Sequence, residues 1–453
     1  MSTRTNRRVA IRYRWDRLKV SFWFAPVVMS LGAALFAWLM YWVDMQIPNE
    51  LLETSRFVLA GTPGEMRSIL ISMAGTVMAT AGVVFTLLTL PLSTVAAQFG
   101  SRLLRVFLGD RTSQLVLGIF AAAFTYCLTA ALAIPPEEVQ PEGPQITATV
   151  GLYLLVATFA SLIVLIQHVS TMLQAPNIAA AAGAELRDVV LAEMPVVVTN
   201  DSLRQESREA SAELMKKEGY PVSVKEAGFI EYVDPEVLLS LSKERNLVVR
   251  LLHKPGHFVS RGEVVAMIWP VERVDEQAVD QFREAFRLGN TRTPTQDISY
   301  AVNQLVEMAV RAMSPAINDP FTAMTCLDYI GEGLALFIRQ GEKGSYYYDI
   351  QGQLRLILEP VTISELLNCA FDMIRHASRD NASVLLHMLE VIDKIGEEVG
   401  SPAVKNPAAV RQELGRQVKL ILAESQAGES IRQDLQLIRR KSEGLVEKFL
   451  DSR

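Results

Sequence analysis

Four stretches near the start of the chain are apolar without interruption, and the rest of it alternates between short apolar runs and polar ones. The long stretches are Val20–Val43, Met66–Leu90, Gln114–Ile134 and Ile146–Gln167. Each reaches the roughly 20 residues that a helix needs to cross a bilayer. None has an acidic or basic residue in its interior. The first carries aromatics towards both ends, Phe22, Trp23 and Phe24, then Trp38, Tyr41 and Trp42, as suits the headgroup level. It is too long for a cleaved signal peptide.

Beyond the fourth stretch the pattern changes twice. An alanine-rich segment and a charged one, "NDSLRQESREASAELMKKEGYP", predict a helical connection over residues 171–219. From Tyr220, β-branched runs bounded by Pro and Gly predict strands at Phe229–Val233, Leu247–His253 and Glu263–Trp269. Between them, Asp234 caps a short helix that starts at Pro235. "PGHFVSRGEVVAMI" is similar to the turn-and-strand pattern of barrel-sandwich hybrid folds. No lysine-bearing hairpin follows, so no carried cofactor is expected. From Asp275 onward the reading is helical. Phe282, Ala285 and Phe286 fall on one face, and Thr293 or Thr295 caps a helix carrying Ile298, Ala301, Leu305 and Met308. Later helices begin at Thr362, Asn381, Pro407 and Glu429.

The expected organisation is therefore a basic arm (residues 1–19), a four-span membrane domain (20–170), the connection (171–219), a small β-barrel-like domain (220–272) and a helical cytoplasmic domain (273–453). The fold class is an α-helical membrane domain followed by an α+β region.

Charge adds the orientation. Arg4, Arg7, Arg8, Arg12, Arg14, Arg17 and Lys19 precede the first span, and Arg102, Arg105 and Arg111 lie between the second and third. The connection "PPEEVQPEGPQ" holds only acids. Basic residues stay on the cytoplasmic side, so both termini are expected inside a multi-pass protein of the inner membrane. Pro91 is expected to kink or end the second span. Phe99, Leu103, Leu104, Phe107 and Leu108 beside the arginines read as an interfacial amphipathic helix.

The uncharged spans argue against a carboxylate-driven transporter and against a voltage sensor. The second span has one distinctive face: Ser68, Ser72, Thr76 and Thr80 recur every four residues, near Gly75, Ala79 and Gly82. Such a stripe lines a pore between copies of the helix, or packs closely against another helix; close packing is the commoner use of these residue types. Cys127, Cys326 and Cys369 are far apart and form no CxxC pair, so neither a disulfide nor a zinc site is expected. His253 and His257 flank a Pro-Gly turn with no third ligand in view.

Two stretches concentrate polar residues among helices. "RTPTQD" (292–297) precedes a helix, and "RAMSPAINDPFTA" (311–323) separates two. In the second, Ser314-Pro315 and Asp319-Pro320 each read as a cap followed by a first-turn proline. Arg292, Gln296, Asp297, Arg311, Ser314, Asn318 and Asp319 either converge as a site, with Arg292 reaching Asp319, or form a hydrogen-bonded helix junction. Both stretches resemble the signatures of the bacterial "domain of unknown function 2254" family of predicted integral membrane proteins. So do "QFGSRLLRVFLGDRTSQLVLGIF" (98–120), "GFIEYVD" and "PGHFVSRG". The resemblance covers nearly the whole chain. It implies an inner-membrane protein and no particular activity.

No P-loop, dinucleotide fingerprint, nucleophile elbow or metal triad is present, so no enzyme, metal or cofactor is expected. The leading expectation is a homo-oligomeric, channel-like protein with its pore between subunits and a gating or sensing cytoplasmic domain. The alternative is a membrane-anchored scaffold or sensor. The expected partners are the lipid bilayer, further copies of the chain, and an ion or small ligand, with no nucleic acid.

Overall fold

The computed structural model describes residues 23–47, 58–59, 61–98, 110–135, 143–172, 174–191, 218–341, 345–349, 351–402, 404, 406–428 and 431–451. The basic arm, the amphipathic stretch Phe99–Leu108 and most of the charged connection lie outside them. The chain divides into two compact units, at residues 178 and 179.

The first unit is built from α1 (Phe24–Asp44), α2 (Pro63–Gln98), α3 (Arg111–Ala133) and α4 (Gln145–Met172). These are the four apolar stretches, with ends shifted by a few residues and the second helix longer by eight at its C-terminal end. Pro91 neither ends nor breaks α2, which runs on to Gln98. Met66, Leu70, Tyr126, Cys127 and Ala148 form one buried cluster, and Val77, Val84, Phe120 and Leu165 another.

The first amides of α4 have no partners in their own helix, and an apolar setting makes that costly. Asp44, buried at the end of α1, supplies them: it accepts from the N–H of Ile146 (2.9 Å) and Thr147 (2.7 Å) and from the Thr147 hydroxyl. Asp110 caps α3 through Ser113 N–H (2.7 Å) and also meets His168 Nε2 on α4 (3.0 Å). Both of these acids thus sit at helix starts, where the helix dipole favours them.

The second unit opens with the later part of α5 (Ala175–Leu191). It continues with β1 (Tyr220–Ser223), β2 (Gly228–Val233), α6 (Pro235–Glu244), β3 (Val248–Leu251), β4 (Phe258–Val259), β5 (Val264–Trp269), α7 (Glu276–Glu284) and β6 (Phe286–Gly289). Then come α8 (Ile298–Ala312), α9 (Pro320–Gln340), β7 (Tyr346–Tyr348), β8 (Leu354–Ile357) and α10 (Ile363–Ala377). The chain finishes with α11 (Ala382–Glu397), α12 (Pro407–Ala427) and α13 (Arg432–Val446).

The strands make a five-stranded sheet in the order β1-β5-β3-β8-β7 and a three-stranded one in the order β4-β2-β6. Neighbours are antiparallel except β3 and β8, which pair in parallel with Val249 opposite Leu356. Val222, Ile230, Val249, Val265, Ile268, Phe282 and Leu356 form their shared core.

Three elements correct the helical reading beyond Asp275. Phe286 opens strand β6 rather than completing a helical face, and β7 and β8 return to the sheet from between helices. Strands of three or four residues show too little alternation to stand out from an amphipathic background.

Among the described residues, five helices are long and apolar enough to cross a membrane by length and composition: α1, α2, α3, α4 and α9. In α9 the apolar window is 56% buried inside its own unit, against 11–44% for the others. Cys326, Leu327, Ile330, Leu334 and Phe337 carry it into the helical core.

Candidate functional site

The loop before α8 is fastened at three points. Gln296 clamps both backbone groups of Val233 at the end of β2: its Nε2 donates to the Val233 carbonyl (3.0 Å), and Oε1 accepts from the Val233 N–H (2.9 Å). The Thr293 hydroxyl donates to the Glu231 carbonyl (3.3 Å). Arg292 grips Asp297 in a bidentate pair, Nε to Oδ2 at 2.8 Å and Nη2 to Oδ1 at 2.9 Å, and lies over the Tyr300 ring. Asp297, not Thr293 or Thr295, caps α8, accepting from Tyr300 N–H at 2.9 Å.

The partner of this loop is the Pro255-Gly256-His257 turn, some forty residues earlier. Gly256 donates its N–H to the Ile230 carbonyl (2.8 Å) and has φ +90°. It lies so close over Asp297 that an added Cβ would come within 1.9 Å of Oδ2. Only a residue without a side chain permits that approach.

Turn and loop form two walls of a cleft of about 400 Å³. Its apolar lining comes from Val189, Val233, Leu251, Tyr347, Leu358 and Val361. Its polar lining includes His253, Lys254, His257, Arg292, Ser299, Glu359 and Glu365. Lys254, its side chain only 12% exposed, reaches both oxygens of Glu365 on α10 (2.9 and 3.1 Å). Glu365 also closes the capping box with Thr362, as its position three residues after that threonine predicts.

The charges are set by these contacts. Burial pushes the Asp297 carboxyl above the usual carboxylate range, while Arg292 and the Tyr300 amide draw it back in part. Burial acts the same way on Glu365, but Lys254 and the Thr362 amide outweigh it and hold that carboxyl low. Burial, with His253 and Lys254 beside it, lowers His257 below the ordinary 6.5 of an imidazole. His257 is therefore neutral at pH 7.

As pH falls, the unfolded chain takes up the His257 proton before the folded one does. Stability is lost as pH drops from 6.5 through the lowered folded value. Between about pH 7.5 and about pH 5.5 the melting temperature of His257→Gln is expected to fall less than that of the wild type. Equal falls would remove His257 from the pH response.

The second polar stretch is separate. Arg311 pairs with Glu307 one turn back (3.1 Å). Asp319 caps α9 through the Thr322 N–H (3.1 Å) and hydroxyl, as predicted, and its N–H returns to the Ala312 carbonyl (2.8 Å). Ser314 caps nothing. No helix follows Pro315; the Ser314 carbonyl instead accepts from Ile317 and Asn318 in a turn, with Asn318 at φ +49°. The stretch is a corner between α8 and α9. Arg311, Ser314, Asn318 and Asp319 do not line the cleft, and Arg292 pairs with Asp297 rather than Asp319.

The stripe on α2 faces out of its unit. Ser68, Ser72 and Thr76 are exposed and Thr80 half-exposed, and no atom lies within 4 Å of a Cβ built on Gly75 or Gly82. Thr76 and Thr80 donate to the carbonyls four residues back, Ser72 at 3.0 Å and Thr76 at 2.8 Å. That arrangement satisfies the donors of these two threonines within the helix.

Lys254, Ser299, Glu359 and Glu365 went unnoticed as cleft residues in the sequence. Lys254 adjoins the flagged Pro-Gly turn, and Glu365 was legible only as a cap. No group of three or more His, Cys, Asp or Glu side chains suited to a metal occurs among the described residues.

The sequence profile of the family described as "Predicted membrane protein (DUF2254)" matches residues 19–394. An uncharacterized protein of Mycobacterium bovis and one of Mycobacterium tuberculosis are each 26% identical over 410 residues, covering 88% of this chain and 75% of theirs. No solved structure matches.

Proposed function

The chain belongs to this family of predicted membrane proteins, and from that premise we propose that it is a membrane-anchored sensor whose soluble unit binds a small molecule in the cleft between the 255–257 turn and the 292–297 loop. Helices α1–α4 are the spans, in the inner membrane with both termini cytoplasmic, while α9 belongs to the soluble core. The two small sheets are a barrel-like module presenting one wall of the cleft.

The observation that carries this reading is the cleft itself. Its volume is that of a small-ligand site, and apolar side chains line it together with polar groups fixed by their own contacts. Both cations are committed to carboxylates, Arg292 to Asp297 and Lys254 to Glu365. Such pairing suits recognition rather than proton transfer, so the reading includes no catalysis.

The test is a thermal-shift titration. Dialysed full-length protein is mixed with the small-molecule fraction of the cells that produce it. The melting temperature is expected to rise, because a ligand that binds only the folded state stabilises it. The rise should vanish in Thr295→Trp, which plugs the cleft from an exposed position. A rise that persists in the plugged variant would put the ligand elsewhere.

A second reading has its own support. The outward stripe on α2 suits contact between copies of the chain, with a pore where the hydroxyls meet. Ion flux in proteoliposomes that Thr76→Leu reduces without disturbing assembly would favour it.

A further inference from the structure

Resting on that reading of the cleft, we propose that its ligand is a small zwitterion with an apolar body, of the class of the α-amino acids. Charge balance is the first ground. Two cations, Lys254 and Arg292, face three carboxylates, Asp297, Glu359 and Glu365, and His257 is neutral at pH 7. A multiply charged anion would enter against the carboxylates. A bare amine would leave the cations no partner beyond those they already hold. A molecule with one charge of each sign complements both.

The donors and acceptors are placed for each end. Arg292 spends Nε and Nη2 on Asp297, which leaves Nη1 for a ligand. Lys254 spends two of its three ammonium protons on Glu365. Each cation thus keeps a charged donor in the cleft for a carboxylate without breaking its pair, and charge-assisted bonds of this kind are the strong ones.

At the opposite sign, Glu359 is exposed at the cleft and forms no ion pair among the described residues. Glu365 is half-exposed, 51% against 12% for its lysine. These two carboxylates receive an ammonium. Leu251, Tyr347, Leu358 and Val361 take the side chain, and a cleft of about 400 Å³ is ample for one amino acid.

The experiment is calorimetric titration of the full-length protein in nanodiscs with the common L-amino acids. The deaminated and decarboxylated analogues of L-leucine and L-phenylalanine are run beside them. At least one amino acid with an apolar side chain is expected to bind, with each of its analogues at least about tenfold weaker, the size of one lost charged hydrogen bond. Glu359→Gln is expected to erase the advantage of the amino acid over its deaminated analogue while the protein keeps its wild-type melting temperature. Lys254→Met is expected to do the same for the decarboxylated analogue.

Analogues that bind as tightly as the parent amino acids would overturn the proposal. So would an advantage that survives Glu359→Gln, or the failure of every amino acid to bind. In each of those cases the cleft remains a ligand site if the cell fraction still raises the melting temperature of the wild type and not of Thr295→Trp.

Discussion

Gly256→Ala is expected to destabilise the cleft region by about 3 kcal/mol. Two costs combine. A side chain at φ +90° lies in the left-handed region, at roughly 1–2 kcal/mol for a residue with a Cβ. The new methyl would also sit 1.9 Å from Asp297 Oδ2 and 2.5 Å from its Cγ, and overpacking of that kind costs about 1–3 kcal/mol. Hydrogen exchange on the full chain reads the effect locally. Amides of β2 and of the first turn of α8 should lose protection, and those of α1–α4 should not. Unchanged protection at Ile230–Val233 and Tyr300 would mean that the turn does not press on the carboxylate.

Asp297→Ala is expected to cost about 2–3 kcal/mol in the same region. The helix loses its cap, worth about 1 kcal/mol. Arg292, whose side chain is 26% exposed, loses both of its bonds, and solvent compensates it only in part. Asp297→Asn separates the terms, since asparagine caps as well as aspartate but holds the guanidinium less tightly. Combined with Gly256→Ala, the alanine at 297 should cost less than the two changes separately, because removing the carboxylate makes room for the methyl. Simple additivity in denaturation of the double variant would show that turn and loop are not in contact.

What the chain discloses by itself follows from how local each signal is. The spans are readable because twenty apolar residues in a row have few other uses. The starts of α6, α10 and α11 are readable because Asp234, Thr362 with Glu365, and Asn381 act within three residues of themselves. The corner at 311–323 is half-readable: Asp319 behaves as its proline predicts. Ser314 does not, because Pro315 enters a turn rather than a helix.

Strands β6 and β8 are lost because each is stabilised by pairing with a strand far away in sequence, β8 with β3 across about a hundred residues, and β7 joins the sheet only through β8. The cleft is lost for the same reason. Arg292, Gln296 and Asp297 were legible as unusual, but their partners at Val233 and Gly256 were not. The glycine's local signal, a Pro-Gly turn, says nothing of the carboxylate above it. The apolar α9 was legible as a helix. Its composition also suits a membrane span, and more than half of its apolar window is covered by its own unit.

The most direct measurement is native mass spectrometry of the full-length protein released from the membranes in which it is made. The wild type is expected to carry a bound small molecule that Thr295→Trp, folded to the same melting temperature, does not. Wild-type protein that carries nothing its plugged variant lacks would contradict the cleft as a ligand site.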